Sequence, residues 1–357
     1  MAMKRVILLI VVLICPVICF AESSESYIVM DAESLRVLDG KNINREKLIA
    51  STSKIMTAII IIENMELNQK VVVDDVILKA YGSSMYLEVG EELRIIDLLY
   101  GLMLRSGNDA AMVLSQIYNS AKDFSDEMND YAKKIGMLNT KFVNSSGLEN
   151  EFGIGNTSTS YDMALLMSYA IKNPIFLKIS GSKYYQFHSN KKSYNLKNKN
   201  KLLFMDNRVI AGKTGYTKKA KRTLVTAAID GDKKIVIVTL NDGNDFNDHL
   251  SLYKKTFKNY KVINICENLK KIDDPLNLYS GYSFVYNEDC NILLNKSEKK
   301  KLQIDYILYN GINLKSVENE VIGYINFKLD DDIIYQNKIT IKRKKRLFNI
   351  IRKWLYS

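Results

Sequence analysis

Between residues 55 and 62 the chain is apolar on every side, with Ile55, Met56, Ala58, Ile59, Ile60, Ile61 and Ile62 interrupted only by Thr57. A helix with no polar face has to lie inside a domain, so this run predicts a buried helix whose polar atoms sit only at its entrance. Around it the pattern alternates between periods of two and of about 3.6. Residues 27–31 and 36–38 read as a hairpin leading into the helix, and 223–229 and 234–240, joined by Asp230, Gly231 and Asp232, read as a second hairpin. Residues 95–104 are helical and apolar, halt at Arg105, Ser106, Gly107 and Asn108, and resume as a helix from Asp109. Further helices are expected over 123–135, from Ser160, and over 246–257. The stretch 181–201 is basic and reads as poor in strands.

Past the last of these helices the pattern changes to short strands, at 262–266, 282–286, 302–308, 321–329 and 333–341, separated by charged loops such as 296–301. No polar constellation in this all-β part suggests catalysis. From Lys342 to Tyr356 the residues sort on a helical wheel: Leu347, Phe348, Ile350, Ile351, Trp354 and Leu355 on one side, Lys345, Arg346, Asn349, Arg352 and Lys353 on the other. An apolar face ending in Trp opposite a cationic one suits a helix lying in an anionic membrane interface. The organisation expected is a signal peptide at 1–21, a first domain at 22–259, a β domain at 260–337 and a basic amphipathic anchor at 338–357.

Charge and cysteines refine this. The formal charge of the 357 residues is +11. Lys4 and Arg5 precede an uncharged apolar run ending in Cys19, Phe20 and Ala21, the form of a secretory leader. Without them the charge is +9, and the eight Lys and Arg of 338–357 stand against no acid, which leaves residues 22–337 at +1. Basicity is thus a property of the tail, which points to a membrane surface and away from nucleic acid. Of four cysteines only Cys266 and Cys290 follow the leader, and a disulfide or two buried thiols both remain open. His188 and His249, the only histidines, lack metal-ligand spacing and an evident partner, so neither zinc, another cofactor nor a His-based triad is expected.

Chemistry is concentrated in three short motifs. Ser51 and Lys54, one helical turn apart, set a hydroxyl beside an amine at the mouth of the buried helix. Desolvation and nearby cations depress a lysine pKa, leaving a free amine to take the serine proton. Taken alone, a serine N-cap with a lysine reaching outward explains the same residues. Ser106, Gly107 and Asn108 form a polar break between two buried helices, where an ordinary cap is the alternative. Lys213, Thr214 and Gly215 fall on or beside a strand, where Gly215 would let a ligand backbone come close; a plain turn is the alternative.

The three motifs together, in this order and in these contexts, resemble those of the serine-type D-alanyl-D-alanine carboxypeptidases, the low-molecular-mass penicillin-binding proteins. The likeness covers essentially the whole chain after the leader, departing at Leu48 and Ile49, where prolines are usual, and at Asn156, where His is expected. It implies an α/β fold of the β-lactamase and transpeptidase kind, an antiparallel sheet flanked by helices plus an all-helical part, followed by a small all-β domain and a C-terminal amphipathic helix. It further implies removal of the terminal D-alanine from peptidoglycan stem pentapeptides at the outer face of the bacterial cytoplasmic membrane, with β-lactams as covalent inhibitors. Ser51 would attack, Lys54 would take its proton, Ser106 would relay a proton to the leaving amine and Asn108 would hold Lys54 and the substrate amide. Lys213 would supply charge and Thr214 a hydroxyl for the terminal carboxylate, with Ser51 and Tyr216 N–H groups as an oxyanion hole. A β-lactamase and a sensor that acylates without turnover are the alternatives; the first lacks a Glu-x-x-Leu-Asn loop here.

Overall fold

The computed structural model describes residues 23–118, 123–267, 282–286, 290–309 and 320–343. Its central sheet has five antiparallel strands in the order Val37–Lys41, Ser26–Asp31, Lys233–Leu240, Lys221–Asp230 and Val209–Thr217. The strand carrying Lys213 is therefore an edge, paired on one side only. The Asp245–Asn259 helix covers one face of the sheet, burying Leu252, Tyr253 and Phe257 with Val29, Leu224 and Ile237. On the other face lies the larger core, built around the Lys54–Asn64 helix, in which every residue from Lys54 to Ile62 is buried.

The structure adds the helix Pro174–Gly181 and the strand Asn291–Asn295 to the pattern reading and differs from it at two further stretches. Residues 181–201 contain a hairpin, Tyr184–His188 paired with Ser193–Lys197. Phe187, Tyr194 and Leu196 turn inward while Gln186, His188, Ser193, Asn195 and Lys197 occupy the other face, so a period of two was present beneath the polar residues. Residues 296–301 form a helix, Lys296–Lys301, with no apolar face, started by a reciprocal cap: Asn295 Oδ1 accepts from Ser297 and Glu298 N–H, and Glu298 returns a carboxylate oxygen to Asn295 N–H.

The β part has a four-stranded sheet, Tyr282–Val285, Asp332–Arg343, Gly323–Leu329 and Gln303–Leu308 in order, and a separate pair, Tyr260–Asn264 with Asn291–Asn295. Lys342 and Arg343 complete the longest strand, so the first six residues of the basic segment 338–357 belong to the sheet. The anchor residues Leu347, Phe348, Ile351, Trp354 and Leu355 lie outside the described residues, among which no helix is long and apolar enough to cross a membrane. Cys266 and Cys290 are disulfide-bonded in the small core with Ile292, Ile325 and Phe327. Closing a loop of this length constrains the unfolded chain by roughly 3 kcal/mol. Replacing both cysteines by serine is expected to lower the calorimetric unfolding temperature of the β part while the transition of the first part keeps its midpoint.

Candidate active site

Ser51 stands in the tight turn Ala50–Ser53, and the α-helix begins only at Lys54. Ala50 enters the turn at φ +48°, a left-handed conformation that costs a non-glycine residue about 1–2 kcal/mol. Side chains hold it there: Thr52 Oγ1 and Thr223 Oγ1 donate to Ile49 O, at 2.6 and 3.1 Å, and Ser53 Oγ donates to Ala50 O at 2.8 Å. Gly147 lies directly against the turn, since a Cβ there would fall 1.9 Å from Ala50 O. Ser51 Oγ is left free of the turn and faces Lys54 Nζ at 3.0 Å.

Lys54 is fully buried, and its Nζ also reaches Asn108 Oδ1 at 2.8 Å and Ser146 O at 2.5 Å. None of these partners is a carboxylate. Burial, followed by repulsion from Lys199, pulls the amine down to about 7, against an opposing attraction from Asp109. A neutral amine has two N–H donors and one lone pair. Donating to Asn108 Oδ1 and Ser146 O leaves that lone pair to accept the Ser51 proton.

Ser106 ends a wide helical turn, Gly101–Arg105, at φ +62°. Its Oγ accepts from Lys213 Nζ at 3.0 Å, and the same amine donates to Thr214 O at 2.7 Å. Lys213 is 1% exposed, and burial, then the charges of Lys54 and Lys199, hold its pKa well below the usual range. Asn108 is steered from the 81–87 loop: its Nδ2 donates to Tyr81 O at 2.5 Å and its N–H to Ser83 O at 2.8 Å. Asp109 fastens that loop by accepting from Met85 N–H, Leu87 N–H and Ser84 Oγ.

Gly215 makes room for a neighbour within the protein. A Cβ at 215 would lie 2.3 Å from Thr223 Oγ1 and 3.0 Å from Ser51 N, so this glycine lets the Lys213 strand pack against the Ser51 turn. Gly215→Ala is expected to push the two apart and lower acylation by about 10²-fold, the scale of a misplaced reacting group, read as the second-order rate of β-lactam labelling.

Ser51, Ser106 and Thr214 open into a cleft of about 300 Å³ whose far wall carries Lys199, Lys201 and Arg222. Arg222 is oriented by Asp245, whose Oδ1 accepts from its guanidinium at 2.6 Å, and by the Phe246 ring 5.2 Å below. A larger cavity of about 660 Å³ borders Asn108 and Ser146 but not Ser51, so it lies beside the reacting groups rather than over the hydroxyl. Tyr216 is exposed at the cleft edge.

All three motifs thus converge on one site as two hydrogen-bonded groups, Ser51 with Lys54 and Asn108, and Ser106 with Lys213 and Thr214. Sequence reasoning missed Ser146, which contributes only a carbonyl, and Lys199 and Arg222, which sit in no motif. Asn156 is buried and structural: its Oδ1 accepts from Val143 and Asn144 N–H and its Nδ2 donates to Asn144 O, fixing the loop that presents Ser146. The histidines prove partnered. His188 bonds Ser193, and His249 lies between Thr226 and Thr239, with burial driving it down to about 3 and keeping it neutral.

Comparison with known proteins bears on this arrangement. Residues 19–244 match a family model described as D-alanyl-D-alanine carboxypeptidase, and residues 280–345 match one described as the C-terminal domain of penicillin-binding protein 5. Among curated relatives, D-alanyl-D-alanine carboxypeptidase DacB2 of Mycobacterium tuberculosis is 32% identical over 61% of this chain and 74% of its own length. D-alanyl-D-alanine carboxypeptidase DacF of Bacillus subtilis is 26% identical over 90% and 86%. Penicillin-binding protein 5 of Haemophilus influenzae shares the fold across 91% of this chain and 98% of that one, with a TM-score of 0.75 at 22% identity.

Proposed function

The chain belongs to the D-alanyl-D-alanine carboxypeptidase family, and on that premise we propose how its residues divide the work of removing the terminal D-alanine from peptidoglycan stem pentapeptides. Ser51 Oγ attacks the carbonyl joining the last two D-alanines as its proton passes to Lys54. The N–H groups of Ser51 and Tyr216 receive the developing oxyanion; one such donor is typically worth roughly 3 kcal/mol. Ser106, its hydroxyl held by Lys213, relays to the leaving nitrogen the proton that Lys54 took from Ser51, which returns Lys54 to the free amine. The C–N bond breaks, D-alanine departs, and an ester remains on Ser51 until water, activated by Lys54, cleaves it. The single observation that carries this reading is the buried Lys54 amine, set between Ser51, Asn108 and Ser146 with a pKa near neutrality.

The carboxylate of the departing residue needs a cation. Lys213 and the Thr214 hydroxyl are the groups assigned to it, and Lys201 and Arg222 in the cleft lining add positive charge nearby. The unpaired side of the Lys213 strand supports an extended peptide added along the sheet edge. The leader at 1–21 and the cationic, Trp-bearing segment that includes Leu347, Phe348, Ile351, Trp354 and Leu355 support placement at the outer face of the cytoplasmic membrane, held by the tail.

Two assays run side by side test the reading. The protein is expected to release D-alanine catalytically from a pentapeptide and to retain benzylpenicillin as an ester on Ser51. Rapid penicillin hydrolysis without D-alanine release would make it a β-lactamase, and acylation with neither turnover would make it a sensor.

A further inference from the structure

A peptide added along the Lys213 strand meets the protein in a fixed order. The strand passes the cleft as Thr214, Gly215, Tyr216 and Thr217. With the terminal carboxylate at Thr214 and the scissile carbonyl at the Tyr216 N–H, the residues that precede the two D-alanines continue towards Thr217, at about 3.3 Å per residue. Glu149 stands there. Its Oε1 accepts from Thr217 Oγ1 at 2.5 Å, and its backbone carbonyl accepts from the Tyr81 hydroxyl at 2.7 Å. The Thr217 hydroxyl is itself fixed, because it accepts from Ala220 N–H at 3.0 Å. The neighbours of Glu149 in the chain are braced as well: Asn144 Nδ2 donates to Leu148 O at 2.8 Å, and Asn150 Oδ1 accepts from Phe152 and Ile154 N–H.

Glu149 is half-buried, and among the described residues no lysine or arginine pairs with it. That sets it apart in a cationic neighbourhood. Lys199, Lys201 and Arg222 line the cleft, and the acid of that lining, Asp245, is taken by Arg222. Lys219, on the turn after Thr217, lies against Gly153, where a Cβ would fall 1.6 Å from its Nζ. One hydroxyl donor leaves most of the acceptor capacity of a carboxylate unused. Glu149 and Tyr81 also line the larger cavity beside Asn108, which gives a ligand space next to them. The exposed Tyr81 ring offers an apolar surface there.

We propose that Glu149 determines specificity at the residue before the two D-alanines, its carboxylate receiving the side-chain ammonium of the diamino acid that peptidoglycan stems carry at that place. The inference rests on the carboxypeptidase reading and on the course of the peptide along the strand. A carboxylate already oriented by Thr217 loses little freedom when it takes an ammonium, and a charge-assisted bond is stronger than a neutral one. A stem whose side-chain amine has been acylated in a cross-link offers no cation. The enzyme would therefore act first on stems not yet cross-linked through that amine.

Two tripeptides that differ by one acetyl group test this: Nα-acetyl-L-Lys-D-Ala-D-Ala, with a free side-chain amine, and its Nα,Nε-diacetyl counterpart. The protein is expected to release D-alanine from the first with a kcat/KM about tenfold higher, the scale of a hydrogen bond to a charged group. In Glu149→Gln, whose amide oxygen can still accept from Thr217, the two peptides should come within about twofold of each other, and Glu149→Asp should restore part of the preference. Equal efficiency on both peptides in the parent protein would overturn the proposal and leave the carboxypeptidase reading standing. A preference that persists in Glu149→Gln would overturn the assignment to this residue. Release from neither peptide would overturn the carboxypeptidase reading and this inference with it.

Discussion

A Ser51→Ala protein is expected to fold as the parent does and to release D-alanine at least about 10⁴-fold more slowly, the scale seen when a covalent catalyst loses its nucleophile. Folding should survive because the turn does not depend on the Ser51 hydroxyl. Thr52, Ser53 and Thr223 tie it to Ile49 and Ala50, while Ser51 Oγ is bonded to Lys54. Chemistry should not survive, because the three-residue spacing leaves Lys54 no other hydroxyl aimed at the cleft. Matched unfolding midpoints together with the lost release would assign the effect to the missing oxygen. A comparable loss of midpoint would instead point to a structural role for the side chain.

Lys54→Met should come next in size, with acylation reduced by about 10³–10⁴-fold, at the upper end for removal of a general base. Methionine fills much of the space of the lysine stem, but Asn108 Oδ1 and Ser146 O each lose a donor, at about 1–3 kcal/mol per stranded buried acceptor. Removing a buried amine works in the opposite direction, so net stability should change less than activity. The same group sets the pH profile. Only the free amine can take the Ser51 proton, so acylation should fall about tenfold per unit below an apparent pKa near 7 and level off above it. The linkage sign follows from the lowered pKa: between about 7 and 10.4 the unfolded lysine holds a proton the folded one does not, so this group makes stability rise with pH across that window. Stopped-flow labelling by a chromogenic β-lactam reads the acylation limb. A flat profile from pH 5 to 8 would remove Lys54 from the role of base.

The pattern of apolar positions located the buried helix, the sheet hairpins and the strands of the β part other than Asn291–Asn295 because each is a local period imposed by one buried face. It failed where polar residues hid that period, as at 184–197, where Phe187, Tyr194 and Leu196 alternate with Gln186, His188, Ser193, Asn195 and Lys197, and where a helix has no apolar face at all, as at 296–301. The three motifs were legible because their reacting groups lie within four residues of one another. Their supports were not. Ser146 acts through its backbone, Asp109 through a loop 22–25 residues away in sequence, and Lys199 through its charge. The break before Lys54 was also invisible, since an α-turn and a tighter turn both place Ser51 beside Lys54, and only the packing of Gly147 and Gly215 distinguishes them.

The account turns on a covalent ester at Ser51, and trapping that ester tests it most directly. Acid quenching of the protein in the steady state with a pentapeptide, followed by peptide mapping, is predicted to find the shortened stem peptide attached to Ser51 and absent from the Ser51→Ala protein. An acyl group on another residue, or continued D-alanine release by Ser51→Ala with no acyl group anywhere, would contradict it.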